Sequence, residues 1–207
     1  MDKHHAHEYL SRPPIAHIDE ADAVVADDLA TVLPGRFLDL GCGAGRLTAL
    51  LLSRFPGSVA LGLDFSPTML DAARAAGVSA ALVRHDLECA LPVVGRFTAV
   101  VSSLAIHHLE DRRKAELYAE AAALLEPGGV MVNLDVVASP TVRLHERWRE
   151  EIGITSNASD RLSSVEEQLG WMRAAGLDDV DCIWKWRALA VLRGERPVVG
   201  CSASAGA

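Results

Sequence analysis

The 207-residue chain carries a formal net charge of −8 with 50% apolar and 23% charged residues, the balance of a globular domain rather than a disordered segment. The acidic balance argues against a nucleic-acid partner held by phosphate neutralisation, and no apolar run approaches the ~20 residues that cross a bilayer. The start, Met1 to His5, lacks the apolar core of a signal peptide, so a cytoplasmic location is expected, and four cysteines without a CxxC pair argue against metal or disulfide frameworks.

Residues 1–18 read as an N-terminal arm, 19–200 as one domain and 201–207 as a small polar tail. His4, His5 and His7 in the arm have no carboxylate or cysteine cluster beside them, so no metal is expected there. Ala21, Val25, Leu29 and Val32 repeat with helical spacing up to Pro34-Gly35. Residues 36–40 read as a strand that runs into a glycine loop. A helix over 45–55 follows, stopped by Pro56-Gly57, and then a strand over 58–63. A helix over 67–76 has Ser66 as N-cap, Pro67 at its first position and Gly77 past its end.

A third strand is expected over 80–84 and a fourth, fully apolar in its middle, over 97–102. A helix over 111–126 presents Tyr118, Ala121, Ala122 and Leu125 inward, and Pro127-Gly128-Gly129 turns into a fifth strand over 130–137. Ser139-Pro140 starts a helix with Leu144, Trp148 and Ile152 on one face, and Ser164 to Glu167 form a capping box for the next. Strands over 180–184 and 187–192 are joined too closely for a crossover and must be antiparallel to each other. The pattern is that of an α/β fold: a doubly wound, mostly parallel seven-stranded sheet with an antiparallel last strand and helices on both faces. Ligands of such sheets bind at the carboxyl ends of the strands.

The residues at those ends carry the chemistry. Gly41, Gly43 and Gly45 let the backbone leave a strand and pass tightly beneath a ligand. Their G-x-G-x-G spacing departs from the dinucleotide fingerprint, and Asp39 before the loop suits a ligand bearing an ammonium group rather than a pyrophosphate. Asp64, at the tip of the second strand, sits where a carboxylate receives ribose hydroxyls, with Phe65 able to pack on a purine; capping the helix at Ser66 is the plainer alternative. His85-Asp86-Leu87 follows the third strand, where a carboxylate could receive an adenine amino group.

Together these pieces resemble the class I S-adenosylmethionine-dependent methyltransferases over about Phe37 to Val137. They are DLGCGAG (39–45), GLDFSP (62–67), HDL (85–87), FTAVVSSLAIHHL (97–109) and LLEPGGVMVNLD (124–135). The resemblance implies a Rossmann-like fold and S-adenosyl-L-methionine as cofactor. It puts Asp39, Gly41, Cys42, Gly43 and Gly45 at the methionine end, Asp64 on the ribose, and Phe65, Asp86 and Leu87 around adenine. Ser102, Ser103 and Leu104 would lie beneath the methyl group, with Tyr9 and Arg12 over the methionine carboxylate.

Candidate bases for proton removal are His107, His108 (favoured by its place in the HHL segment), Asp135 and His145, although paired histidines also serve to cap loops. Arg143, Arg147, Trp148 and Arg149 suit either an anionic acceptor or a solvated face, while Trp184 and Trp186 read as core packing. The expected function is O-, N- or C-methylation of a small-molecule acceptor by in-line methyl transfer, by a monomer or homodimer without nucleic-acid or membrane partner. The alternatives are a tRNA-modifying enzyme of the same fold, a non-catalytic cofactor-binding protein and, disfavoured by the glycine spacing, a dehydrogenase.

Overall fold

The computed structural model describes residues 15–92, 95–153 and 159–198; Tyr9, Arg12, His4, His5, His7 and Cys201 lie outside them. The chain runs α1 (Ile18–Leu29), β1 (Arg36–Leu40), α2 (Arg46–Arg54), β2 (Val59–Asp64), α3 (Pro67–Ala75), β3 (Ala81–Arg84) and β4 (Phe97–Ser103). After a 3-10 turn at Ile106–His108 come α4 (Asp111–Leu124), β5 (Leu125–Val136), α5 (Val142–Ile152), α6 (Val165–Ala174), β6 (Asp178–Trp186) and β7 (Leu189–Glu195). The seven strands form one sheet in the order β3-β2-β1-β4-β5-β7-β6. Only β7 runs against its neighbours, antiparallel to both β5 and β6. The order reverses between β1 and β4, and there the crevice of a doubly wound sheet opens.

Both faces of the sheet are covered, which is why the central strands are apolar on both sides. On one face Phe37, Ala99, Val101, Val132 and Leu134 pack under Val25 and Leu29 of α1 and Leu47 and Leu51 of α2. On the other, Leu38, Leu40, Val100 and Met131 meet Leu117, Tyr118 and Ala121 of α4 and Met172 of α6. The alternation along β1 therefore places Asp39 on the α2 side.

Local signals fix most element ends. Ser66 Oγ accepts from the Met69 amide at the head of α3, and Ser164 and Glu167 close the expected capping box at α6. Two ends differ from expectation. The turn at Pro127-Gly128-Gly129 does not separate α4 from β5. Leu125 already pairs with Phe97, and the register shifts before Val130 joins Ala99. Gly129 lies in this irregularity with so little room that a Cβ would stand 2.9 Å from Glu126 O and 3.0 Å from Thr98 O, so the glycine serves a bulge rather than a strand start. The head of α5 is Thr141, whose Oγ1 accepts from Leu144 N, while Ser139 Oγ is spent on His145 Nδ1 at 2.9 Å.

A buried polar triangle joins three elements beneath the sheet. Tyr118 OH of α4 donates to Gln168 Oε1 of α6 at 2.7 Å and accepts from Asn133 Nδ2 of β5 at 3.0 Å. Replacing Tyr118 by Phe removes a partner from two buried groups and should cost about 1–3 kcal/mol. Urea unfolding with an unchanged m-value checks this; a variant as stable as the parent would show the triangle to be incidental.

Candidate active site

The loop after β1 is hooked onto β2. The amides of Gly41 and Cys42 both donate to Leu63 O, at 2.8 and 2.9 Å. Gly43 N donates to Asp64 Oδ2 at 2.9 Å while Ser66 N donates to Asp64 Oδ1 at 2.8 Å. Asp64 thus holds the turn that enters the next helix, the plainer of the two alternatives that its position suggests. Gly41 and Gly43 take φ of +72° and +55°, a region L side chains rarely enter. A Cβ at Gly41 would stand 2.3 Å from Ala105 Cβ, so the loop lies directly against the chain leaving β4.

Asp39 is 1% exposed. Its Oδ2 accepts from Thr48 Oγ1 of α2 at 2.5 Å, and its Oδ1 is buried without a partner among the described residues. Burial pushes its carboxyl up to about 7, with Asp64 adding and the Thr48 bond opposing. A buried carboxylate oxygen with nothing to accept is the counterpart an ammonium group requires. Burial likewise raises Asp64, against the pull of the two backbone amides, and raises the Cys42 thiol above the ordinary range.

Residues after β3 and β4 complete the crevice. Asp86 is exposed, with Oδ1 accepting from Glu88 N, and Leu87 is buried beside it. Arg113 of α4 clamps this loop, donating to Leu87 O at 2.6 Å and Cys89 O at 2.8 Å while Glu120 holds its guanidinium and accepts from Leu91 N. Nothing local in the sequence signals this clamp or the Thr48 bond. Ser102 Oγ donates to Leu40 O, Ser103 Oγ accepts from Arg46 Nη2 at 2.7 Å, and Leu104 adopts φ +56°. Phe65 is half-buried.

His107 and Asp135, separate in the sequence reading, form one unit: Asp135 accepts from His107 N at 2.9 Å and bonds His107 Nδ1. Burial opposes charge on His107, yet Asp135 prevails and its pKa lies above that of free histidine. His108 is moved the other way, by burial and by the His107 charge, and shares a hydrogen bond with Ser159 Oγ. Of the arginines singled out on α5, Arg143 and Arg147 are exposed and Arg147 pairs with Glu151. Arg149 is buried and reaches Asp160 Oδ2 at 3.1 Å. Trp184 and Trp186 pack with Trp148 and Ile152, as the strand alternation leads one to expect. Cys42, Cys89 and Cys182 carry free thiols.

A family model described as a methyltransferase domain matches residues 37–129. The trans-aconitate 2-methyltransferase of Methylobacterium nodulans is 34% identical over 195 residues, 87% of this chain and 72% of that protein. The chain belongs to the class I S-adenosylmethionine-dependent methyltransferases. The demethylmenaquinone methyltransferase of Thermus thermophilus is 38% identical over 113 residues, spanning 52% of this chain and 50% of its own length. An O-methyltransferase family protein from Burkholderia thailandensis shares the fold, with a TM-score of 0.67 and 22% identity over 89% of this chain and 62% of that one. The protein is a methyltransferase of small molecules with S-adenosylmethionine as cofactor. The tRNA-modifying and non-catalytic readings are not favoured. No helix among the described residues is long and apolar enough to cross a membrane.

The raised Asp39 pKa has a signed consequence for the cofactor-free methyltransferase. The folded value of about 7 exceeds the unfolded value near ~3.9, so the folded state holds the proton longer and stability falls as pH rises from ~4 to ~7. Asp39→Asn removes this cost. Its melting temperature relative to the parent should rise across that window and level off above it. A difference independent of pH between 4 and 8 would overturn the assignment.

Proposed function

We propose that the enzyme transfers the methyl group to a carboxylate oxygen of a small polycarboxylic acid, forming a methyl ester. The observation that carries this reading is that His107, just past β4, and Arg149 of α5 together hold a carboxylate, that of Asp160, near the carboxyl ends of β4 and β5, where the acceptor has to approach. The trans-aconitate methyltransferases among the relatives support the same substrate class. The sulfonium methyl is electrophilic as bound, so the protein needs to position rather than activate it.

Asp39 Oδ1 takes the cofactor's ammonium group. Asp64 keeps its two amide bonds and has lone pairs left on both oxygens for the ribose hydroxyls. Phe65 and Leu87 flank adenine, with Asp86 at its amino group and the Arg113–Glu120 clamp holding that loop. Gly41, Cys42 and Gly43 pass beneath the methionine moiety, and Ser102, Ser103 and Leu104 line the floor. Tyr9 and Arg12, assigned to the methionine carboxylate by resemblance, lie outside the described residues.

A carboxylate acceptor is ionised at neutral pH, so no base is needed, and the His107–Asp135 pair serves charge and orientation instead. A second reading has a specific warrant in the same pair. With Nδ1 held by Asp135, His107 Nε2 is placed as a base for an acidic phenol or carbon acceptor, the kind of role a demethylmenaquinone-like acceptor would use.

Product chemistry separates the two. Labelled cofactor incubated with trans-aconitate should give a product that releases labelled methanol in mild alkali, because esters hydrolyse there and aryl ethers and C-methyl groups do not. An alkali-stable product would favour the second reading. Asp64→Ala should weaken cofactor binding by about 1–3 kcal/mol by leaving hydroxyls unpaired; calorimetric titration giving the parent's affinity would remove Asp64 from the ribose.

A further inference from the structure

One acidic side chain sits where the acceptor should enter. Asp160, on the segment between α5 and α6, faces His107 Nε2 at 3.8 Å, His108 Nδ1 at 3.6 Å and Arg149 Nη2 at 3.1 Å. Its side chain is 11% exposed. The amide of Arg161 beside it donates to His107 O at 2.8 Å, so the approach is built by the fold. His145 lies one turn before Arg149 on α5. Its Nδ1 is engaged by Ser139 Oγ, while its Nε2 is buried with no partner among the described residues. Arg149 and Asp160 both act on the charge of this imidazole.

Among the described residues, Asp160 is the anion that His107 and Arg149 share. His107 as imidazolium and Arg149 supply two positive charges, and Asp135 and Asp160 two negative ones. Lys114, the further cation acting on His107, is paired with Asp111 at 3.1 Å. Withdrawing the Asp160 carboxylate takes away an anion that His107 and Arg149 both face in a mostly buried place, a loss that another entering anion would make good. Guanidinium and imidazole N–H groups are the donors that bind carboxylates best.

We infer that His107, His108 and Arg149 build a carboxylate-binding subsite, which the chain's own Asp160 fills in this structure and which one carboxylate of the acceptor takes over. This rests on the carboxylate-acceptor reading and narrows it. The anchored carboxylate is neutralised by the cations and is a poor nucleophile, so a second carboxylate on the same molecule receives the methyl group. The acceptor is then a di- or tricarboxylate, and a monocarboxylate binds without being methylated. Donor atoms of His107, His108 and Asp160 also lie within 4.8 Å of one another, close enough to gather a metal ion. Arg149 on the other Asp160 oxygen sets a positive charge against that ion, which makes this an anion site.

The test is calorimetric titration of trans-aconitate into protein saturated with S-adenosylhomocysteine, whose own affinity serves as the folding control. Asp160→Asn should bind trans-aconitate about tenfold more tightly than the parent, the gain expected if Asp160 occupies the subsite roughly 90% of the time. Arg149→Gln should bind it at least ~10-fold more weakly. Asp160→Asn binding no more tightly, with S-adenosylhomocysteine affinity intact, overturns the inference, as does an unchanged Arg149→Gln. Zn²⁺ binding to the parent that disappears in Asp160→Asn also overturns it. Tighter trans-aconitate binding without any alkali-labile product leaves the subsite standing and removes the carboxylate-methylation reading. Product formation with no effect of Asp160 does the reverse.

Discussion

The Asp64 carboxylate binds two strand ends into one site. One oxygen holds the amide of Gly43 in the loop after β1, and the other holds Ser66 at the entry to α3. Burial raises the cost of its charge, and the two amides offset that cost. Without this bridge the two amide bonds to Leu63 O are what tie the glycine loop to β2 among the described residues, and α3 loses the turn that lets Ser66 cap it. Asp64 thereby ties the loop after β1 to the entry of α3.

In the proposed reading, the cofactor and acceptor sides of the site pose opposite electrostatic problems. On the cofactor side, Asp39 is buried with one oxygen unmatched, a negative group waiting for a cation. On the acceptor side, Arg149 and the His107–Asp135 pair surround the Asp160 carboxylate, cations that need an anion. In the proposed reading, a sulfonium ligand and an anionic acceptor would meet walls of complementary sign. The unmatched Asp39 oxygen costs stability until a cation meets it, whereas the acceptor side already holds an anion in Asp160.

What the sequence discloses follows the range of each signal. The strands, their order of appearance and the acids at 39 and 64 are legible because a glycine loop or a strand tip next to an acid is a local pattern. The antiparallel β7 is legible because a two-residue joint leaves no room for a crossover. The start of β5 is not. Pro127-Gly128-Gly129 is a strong turn signal, and only pairing with Phe97 across the sheet turns it into a bulge. Thr141 and Ser139 compete as caps within one short segment, and a histidine elsewhere on the helix decides between them. The Arg113 clamp on Leu87 and Cys89 and the meeting of Asp160 with His107 join residues far apart in the chain, and the Thr48 bond to Asp39 crosses from helix to strand. No periodicity or motif encodes them. The sequence does supply the separate members: His107, Asp135 and Arg149 all stand out, but their pairing, and the separation of Arg149 from the exposed Arg143 and Arg147, exist only in three dimensions.

The contact between Gly41 and Ala105 makes the two halves of the pocket one mechanical piece. With 2.3 Å between an imagined Cβ and a real one, neither backbone has slack to accept a larger neighbour. Exchanging the acceptor-binding elements with those of another methyltransferase, a common route to new substrates, would therefore succeed only with a junction that keeps residues 41 and 105 from the same parent. A chimera cut between them inherits two loops shaped for different partners, and its first defect would be in holding the cofactor, however well its new acceptor pocket is formed.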